Sequence, residues 1–179
     1  MKILKSILLL AFVACSLISC KDDDDSGSVP GSGTWSFNYD GSTFILDKGS
    51  LIDFGGTGNS FNFDITLVSS GFSFDEFGDI NGSGESVYFE LWTDQESGLK
   101  KGTYDYNNSS QTDFTFSIGE VGVGCNDNGT CTFQDSADSG TVTINRSGNN
   151  YDISFNITTS TGEVITASYD GSLRSFSGL

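Results

Sequence analysis

The segment Ser60–Val68 reads SFNFDITLV, and polar and apolar side chains alternate along it from Ser60 to Leu67. Apolar side chains lie at every second position: Phe61, Phe63, Ile65 and Leu67. Polar side chains fill the positions between them: Asn62, Asp64 and Thr66. A period of two is typical of a β-strand with one buried face. We therefore expect a strand here that buries its phenylalanine, isoleucine and leucine side chains.

The same alternation continues through most of the chain after residue 34. It appears in TWSFNY, SVYFELW, DFTFSI, TVTIN, YDISFNIT and EVITASYD. Turn signals separate these runs, namely Asp40-Gly41, Gly55-Gly56, Asn81-Gly82, Asn128-Gly129, Ser147-Gly148-Asn149 and Thr161-Gly162. No segment has a useful helical period. The pattern predicts one all-β domain over residues 34–179, a single antiparallel β-sandwich of about 8–10 short strands. The alternative is a closed, calycin-like β-barrel.

The start of the chain has the composition of a secretory signal peptide. Two lysines, Lys2 and Lys5, precede an apolar run from Ile7 to Val13 and a stretch with small residues that ends at Ser19. A membrane-spanning helix needs about 20 apolar residues, so this run is too short to be one. We expect residues 1–19 to be removed during secretion.

The next residues indicate how the secreted chain is held. Leu17-Ile18-Ser19-Cys20 resembles the lipobox of bacterial lipoproteins. That resemblance implies cleavage before Cys20 and acylation of this cysteine, and several acyl chains anchor a protein stably in a membrane. The alternative is a plain signal peptide with a cysteine nearby by chance.

The segment Lys21–Asp25, KDDDD, resembles the surface export signal of Bacteroidota lipoproteins. The resemblance implies display on the outer face of the outer membrane, although the segment would also serve as a solvated acidic tether. SGSVPGSG follows, so residues 20–33 form a lipidated acidic and Gly-Ser tether. The C-terminal run SGTVTINRSGNNYDISFNITTSTGEVITASYDGSL is similar to small, mostly uncharacterised β-rich lipoproteins of the Bacteroidota.

Charge and histidine content exclude several functions. The formal net charge is −16, and removing Lys2 and Lys5 with the signal peptide makes it −18. Such a field repels nucleic acid and anionic lipid, so we expect neither as a partner and expect membrane contact through the lipid anchor. The chain has 0 histidines, which removes the commonest general base and metal ligand. A carboxylate-dependent hydrolase is the least favoured function, because no pair of acids is singled out, and we expect no enzyme and no cofactor.

Two cysteines flank a turn signal in the predicted domain. Cys125 and Cys131 enclose NDNGT, and secreted proteins permit disulfides. We expect a disulfide between these two residues, which would also pin the loop as a recognition loop.

A glycine-rich acidic segment is a candidate calcium site. Oxygen-bearing side chains alternate within DEFGDINGSGESVYFE, namely Asp79, Asn81, Ser83, Glu85 and Glu90. An irregular calcium loop would use these oxygens as ligands. The alternative is an ordinary glycine-rich hairpin loop.

The run SVYFELW supplies a candidate ligand-binding face. Period two puts Val87, Phe89 and Leu91 in the core, and it puts Tyr88, Glu90 and Trp92 on the opposite face. Aromatic rings stack on sugars, and carboxylates accept hydrogen bonds from sugar hydroxyls. In the alternative interpretation both faces are covered and these aromatic side chains belong to the core.

The features together predict a surface-exposed lipoprotein that binds or adheres to a glycan or a protein. The alternative is a structural or accessory lipoprotein of an outer-membrane assembly. Asp135-Ser136-Ala137 also matches the short acceptor pattern for O-glycosylation in the Bacteroidota.

Overall fold

The computed structural model describes residues 35–178, and these residues form strands and turns without a helix. Twelve strands are present: β1 (Trp35–Tyr39), β2 (Ser42–Leu46), β3 (Lys48–Thr57), β4 (Ser60–Val68), β5 (Phe72–Phe74), β6 (Ile80–Thr93), β7 (Gly102–Tyr106), β8 (Thr115–Asn126), β9 (Phe133–Ser147), β10 (Asn150–Thr159), β11 (Val164–Ser172) and β12 (Arg174–Ser177). No segment of residues 35–178 forms an apolar helix long enough to cross a bilayer. The predicted all-β class is confirmed.

The apolar period of two produces the strands where it was expected. Buried and exposed residues alternate along β10, where Tyr151, Ile153, Phe155 and Ile157 point into the core. The turn between β1 and β2 is Asp40-Gly41, with φ values of 46° and 70°. Two consecutive positive φ angles are characteristic of the type I′ hairpin turn, and they explain the glycine.

The strands form one continuous hydrogen-bonded sheet. Its order is β12, β3, β4, β6, β8, β7, β9, β10, β11, β1 and β2, and β5 pairs with β6 outside this path. Most pairs are antiparallel, but β12 with β3 and β7 with β8 are parallel. The predicted strand number and the purely antiparallel arrangement were therefore wrong. The quoted sequence patterns have no counterpart for β2, β3, β5, β7 and β12, and four of these five strands have five residues or fewer.

Two single-residue links bring the ends of this sheet together. Asp47 alone separates β2, the last strand of the order, from β3 near the other end, and Leu173 alone separates β11 from β12. Residues on either side of one link are at most about 7–8 Å apart. The Asp47 N–H also donates to the carbonyl of Val68 at the end of β4, 2.8 Å away. The sheet must therefore curl strongly, as an open half-barrel.

The core lies inside this curl. The Phe89 ring on β6 meets Phe116 on β8, with centroids 5.6 Å apart, and Phe155 on β10, with centroids 5.0 Å apart. Strands β6 and β10 are not neighbours in the sheet, so the inner surface of the sheet packs against itself across the interior. Each well-packed aromatic pair contributes about 0.5–1.5 kcal/mol beyond its buried area.

A second, smaller cluster lies beside β5. It contains Val68, Phe72, Phe74 and Cys125, with Ile80 and Phe176 packed against it. This cluster holds β5 and the loop that follows it against the outer face of the sheet. Two of its members, Ile80 and Cys125, also line a groove on that face.

Candidate functional site

The outer face of β6 carries the predicted binding residues. Val87, Phe89 and Leu91 are each fully buried in the core, as the alternation predicts. Tyr88 and Glu90 lie on the opposite face and are half-buried. Tyr88 is paired with Glu120 on β8, and Glu90 with Ile118. The sequence therefore placed Tyr88 and Glu90 on the correct face of the sheet.

Trp92 shares that face, but its ring is not available to a ligand. Its side chain is 3% exposed. The indole N–H donates to Oγ of Ser117, 2.9 Å away, and the N–H of Phe114 donates to the Trp92 carbonyl, 2.8 Å away. The expected stacking surface is therefore absent, because the ring is buried beside Ser117 of β8. Trp92 instead fixes the position of Ser117.

Tyr88 is held by a buried acid on β4. Its hydroxyl donates to Oδ2 of Asp64, 2.5 Å away, and Asp64 is 7% exposed. Burial raises the pKa of Asp64 to about 6; the negative charge of Glu90 also raises it, and hydrogen bonds from Tyr88 and Asn62 oppose the shift. Burial and the hydrogen bond to Asp64 raise the pKa of Tyr88. Tyr88 is thus a neutral, rigidly oriented phenol.

A groove of about 330 Å³ lies over Tyr88, and we call it the Tyr88 groove. Its lining comes from β3, β4, β6, β8, β9 and the two adjoining loops: Ile52, Thr66, Gly78, Asp79, Ile80, Ser86, Tyr88, Glu120, Cys125, Asn126, Gly129, Cys131 and Gln134. Ligand sites in proteins typically measure about 300–1,000 Å³. The groove therefore has the size for a small ligand, with apolar surface and acidic groups together.

The disulfide loop forms one wall of the Tyr88 groove. Cys125 and Cys131 are joined, with their Sγ atoms 2.04 Å apart. Asn126 orders the loop between them, since its Oδ1 accepts from the N–H of Asn128 at 3.0 Å and of Thr130 at 3.1 Å. A Cβ at Gly122 would lie 2.4 Å from Sγ of Cys125, so only glycine leaves room for the disulfide. The wall is therefore preformed.

A second cavity adjoins Glu90, and we call it the Glu90 cavity. It measures about 530 Å³ and is lined by Glu90, Asn108, Ser109, Ser110, Gln111, Ser117 and Ile118. Sequence analysis missed it, although the polar run NNSSQTD between two strand patterns could have indicated an exposed recognition loop. Glu90 is thus part of a cavity, but a different one from that of Tyr88.

The predicted calcium loop is not a loop. Ile80–Thr93 is one continuous strand of 14 residues, so Asn81, Ser83, Glu85 and Glu90 are spread along β6. The loop interpretation is therefore wrong, and calcium binding by these residues stays a prediction. The glycines have another purpose, because a Cβ at Gly82 would lie 2.2 Å from the Gly71 carbonyl oxygen. In the part of the chain described here, no group of three or more His, Cys, Asp or Glu side chains could hold a metal.

Asp135 belongs to a structural cluster rather than to either cavity. It is 7% exposed and accepts from the hydroxyls of Ser160 and Thr161, each 2.5 Å away. Burial raises the pKa of Asp135, but the hydrogen bonds from Ser160, Thr161, Thr159 and the Ser136 N–H outweigh burial and lower the pKa well below its usual range. Asp135 therefore ties β9 to the turn between β10 and β11.

The predicted lipidation site, Cys20, and the tether lie outside the described residues. Chemically, the two cavities offer carboxylates, amides, hydroxyls and apolar surface, and no lysine or arginine side chain lines either of them. No protein family model, curated protein or solved structure matches this chain.

Proposed function

We propose that this protein is a non-enzymatic glycan-binding module, displayed on the outer-membrane surface by acyl chains on Cys20. The observation that carries the proposal is the Tyr88 groove, which combines apolar surface with Asp79, Glu120 and Gln134. Sugars present hydroxyl donors and apolar C–H faces, and a groove of this composition satisfies both. The lipobox and the acidic residues after it support the location.

The architecture that we propose is the barrel rather than the sandwich. The continuous sheet and the links at Asp47 and Leu173 support a flattened, incompletely closed barrel. Its interior is filled by side chains such as Phe89 and Val142, both fully buried. A ligand would therefore bind on the outer face, where both cavities lie.

A glycan array tests the proposed activity. Labelled full-length protein in detergent is applied to neutral, amine-bearing and acidic oligosaccharides. Binding to a neutral or amine-bearing class is expected, and Glu120→Gln should weaken it by about tenfold, or ~1.4 kcal/mol. Glu96→Gln is the matched control, since Glu96 is exposed and lines neither cavity. An array without binding, or equal effects of the two variants, would contradict the proposal.

Two exposed phenylalanines support a second function, that of an accessory subunit in an outer-membrane assembly. Phe54 and Phe77 are 51% and 59% exposed. Both lie close to β12, because a Cβ at Gly178 would be 2.6 Å from the Phe54 ring and one at Gly78 would be 3.0 Å from the Phe176 ring. Exposed apolar patches commonly mark protein interfaces. If the protein is an accessory subunit, the double variant Phe54→Ser/Phe77→Ser should lose a specific crosslink to a partner protein on intact cells. Its glycan binding should stay unchanged.

A further inference from the structure

We propose that the Tyr88 groove and the Glu90 cavity are two subsites of one extended binding groove, so that the ligand is an oligosaccharide of several residues rather than a single sugar. This inference rests on the proposed glycan-binding function and specifies its ligand class. The two cavities lie on the same outer face of the same pair of strands, β6 and β8.

Strand register places lining residues of the two cavities in adjacent rows of the sheet. Tyr88 and Glu120 are directly paired and line the Tyr88 groove. The next outward pair is Glu90 with Ile118, and both line the Glu90 cavity. Successive outward residues on a strand are about 6.6–7 Å apart. No further outward pair of β6 and β8 lies between these two rows, and this adjacency supports one extended groove.

The length of β8 sets the length of the combined groove. Ser117 lines the Glu90 cavity and Cys125 lines the Tyr88 groove, and both belong to β8. The paired stretch of β6 runs from Gly84, opposite Cys125, to Glu90, opposite Ile118, and its six residue steps span about 20 Å, since bulges shorten β8. A monosaccharide would fill only part of that length, whereas a chain of several sugars would contact both cavities at once.

Ordered loops border both ends of the groove. At one end, the disulfide and Asn126 hold the loop between Cys125 and Cys131. At the other end, the Asn107 side chain donates to Ser110 Oγ at 2.7 Å and accepts from the Ser109 N–H at 3.1 Å. Preformed loops lower the entropy cost of binding, so both cavities are ready to contribute to affinity.

The two subsites differ in chemistry. Ile52 and Ile80 give the Tyr88 groove an apolar component. Ser109, Ser110 and Gln111 make the loop side of the Glu90 cavity polar, and Ile118 at the junction is 41% exposed. Carboxylates without neighbouring cations repel anions, so the chain of sugars is neutral or carries amines.

The test measures how affinity depends on ligand length. The probes are β-linked glucose, N-acetylglucosamine and glucosamine oligomers, from the monosaccharide to the hexasaccharide, which is longer than a groove of ~20 Å. The full-length protein in detergent is titrated by calorimetry. Affinity for the bound series is expected to rise by about tenfold or more between the short and the long oligomers.

Three glutamine variants locate the contacts. Gln134→Ala alters the Tyr88 groove, Gln111→Ala alters the Glu90 cavity, and Gln95→Ala is a matched control, since Gln95 lines neither. Gln134→Ala and Gln111→Ala should each weaken the longest oligomer by about tenfold, and one of them should leave the disaccharide unaffected. The control should change nothing.

Two outcomes would overturn the inference in different ways. A monosaccharide that binds as tightly as the longest oligomer, with only one of the two cavity variants having an effect, leaves the glycan-binding function intact but shows a single site. Failure of every oligomer to bind, both in these titrations and on the glycan array, removes the glycan-binding function and the extended groove together.

Discussion

The hydroxyl of Tyr88 donates a hydrogen bond of 2.5 Å to Oδ2 of Asp64 and so joins β6 to β4 across the outer face. Asp64 also accepts from the Asn62 side chain at 3.3 Å. These two hydrogen bonds only partly compensate the burial of the Asp64 carboxylate beside Glu90, so the pKa of Asp64 rises to about 6. Ionised Asp64 therefore opposes folding, while its hydrogen bond orients Tyr88 in the groove.

This balance predicts that Asp64→Asn stabilises the protein at neutral pH. A carboxyl whose folded pKa is raised contributes stability below its unfolded pKa, near 3.9, and loses that contribution as pH rises through about 6. The amide keeps an acceptor for Tyr88 and carries no charge. We expect a gain of about 1–3 kcal/mol near pH 8 and almost none near pH 4 in urea unfolding.

Asp152→Asn is the matched control for this experiment, since Asp152 is exposed on β10. It should shift the unfolding free energy little at either pH. A loss of stability in Asp64→Asn near pH 8 would mean that the ionised carboxylate is net stabilising, contrary to this account.

Asp135 is predicted to act in the opposite direction. Asp135→Ala leaves the Ser160 and Thr161 hydroxyls without their acceptor, and we expect a loss of about 2–4 kcal/mol near pH 7. Because the folded pKa is lowered, the stabilisation is complete above the unfolded pKa of about 3.9 and declines as pH falls below it. Urea melts over this acidic range measure the decline.

The exposed neighbour Asp138 on β9 supplies the comparison for Asp135. Asp138→Ala should stay within about 0.5 kcal/mol of the parent protein. Equal losses in Asp135→Ala and Asp138→Ala would show that the hydroxyl cluster adds nothing specific.

The disulfide is predicted to stabilise the fold modestly. Its cysteines are six residues apart, and closing so short a loop contributes about 2 kcal/mol in the chain-entropy model. Cys125→Ser with Cys131→Ser should therefore fold with lower stability, and the parent protein should show no free thiol from these residues without reductant. Two titrating thiols in the native protein would exclude the bond.

Trp92 should report its burial by fluorescence. In a Trp35→Phe background, Trp92 is the one remaining tryptophan, and its 3% exposure predicts blue-shifted emission that acrylamide quenches weakly. Addition of a bound oligosaccharide should leave this emission almost unchanged, since the ring does not face the groove. Strong quenching in the native state would restore Trp92 as a ligand-contacting residue.

The anchor prediction concerns Cys20. Cys20→Ala should release the protein from the membrane fraction, because it removes the thiol that we propose to be acylated. Protease added to intact cells should digest the wild-type domain. A wild-type domain that stays protected, while another outer-membrane surface protein is digested, would rule out surface display.

The period of two predicted much of the fold and one face of the site. It placed Val87, Phe89 and Leu91 in the core and Tyr88 on the outer face. It could not reveal that Asp64, a polar position of SFNFDITLV, is buried as well. That burial depends on Tyr88 from a strand more than twenty residues away, and local alternation carries no information about such a partner.

Two glycine-containing pairs that predict turns lie within strands. Asn81-Gly82 and Gly55-Gly56 are typical turn signals, but the first pair lies within β6 and the second within β3. Gly82 lacks a side chain so that the Gly71 carbonyl can approach it, and at Gly55 the register of β3 against β4 shifts. A glycine needed for close approach or for a bulge has the same letter as one needed for a turn.

The pairing of β1 with β11 sets the order in which the protein can fold. Ser36 lies opposite Ser168, so the first strand of the domain waits for a partner made near the end of synthesis. Contacts of such large sequence separation slow folding, because a long stretch of chain must be closed before they form. The sheet is therefore incomplete on a nascent chain until almost all residues have emerged. That delay suits the secretion that we propose, since the leading hairpin cannot acquire its final neighbour too early.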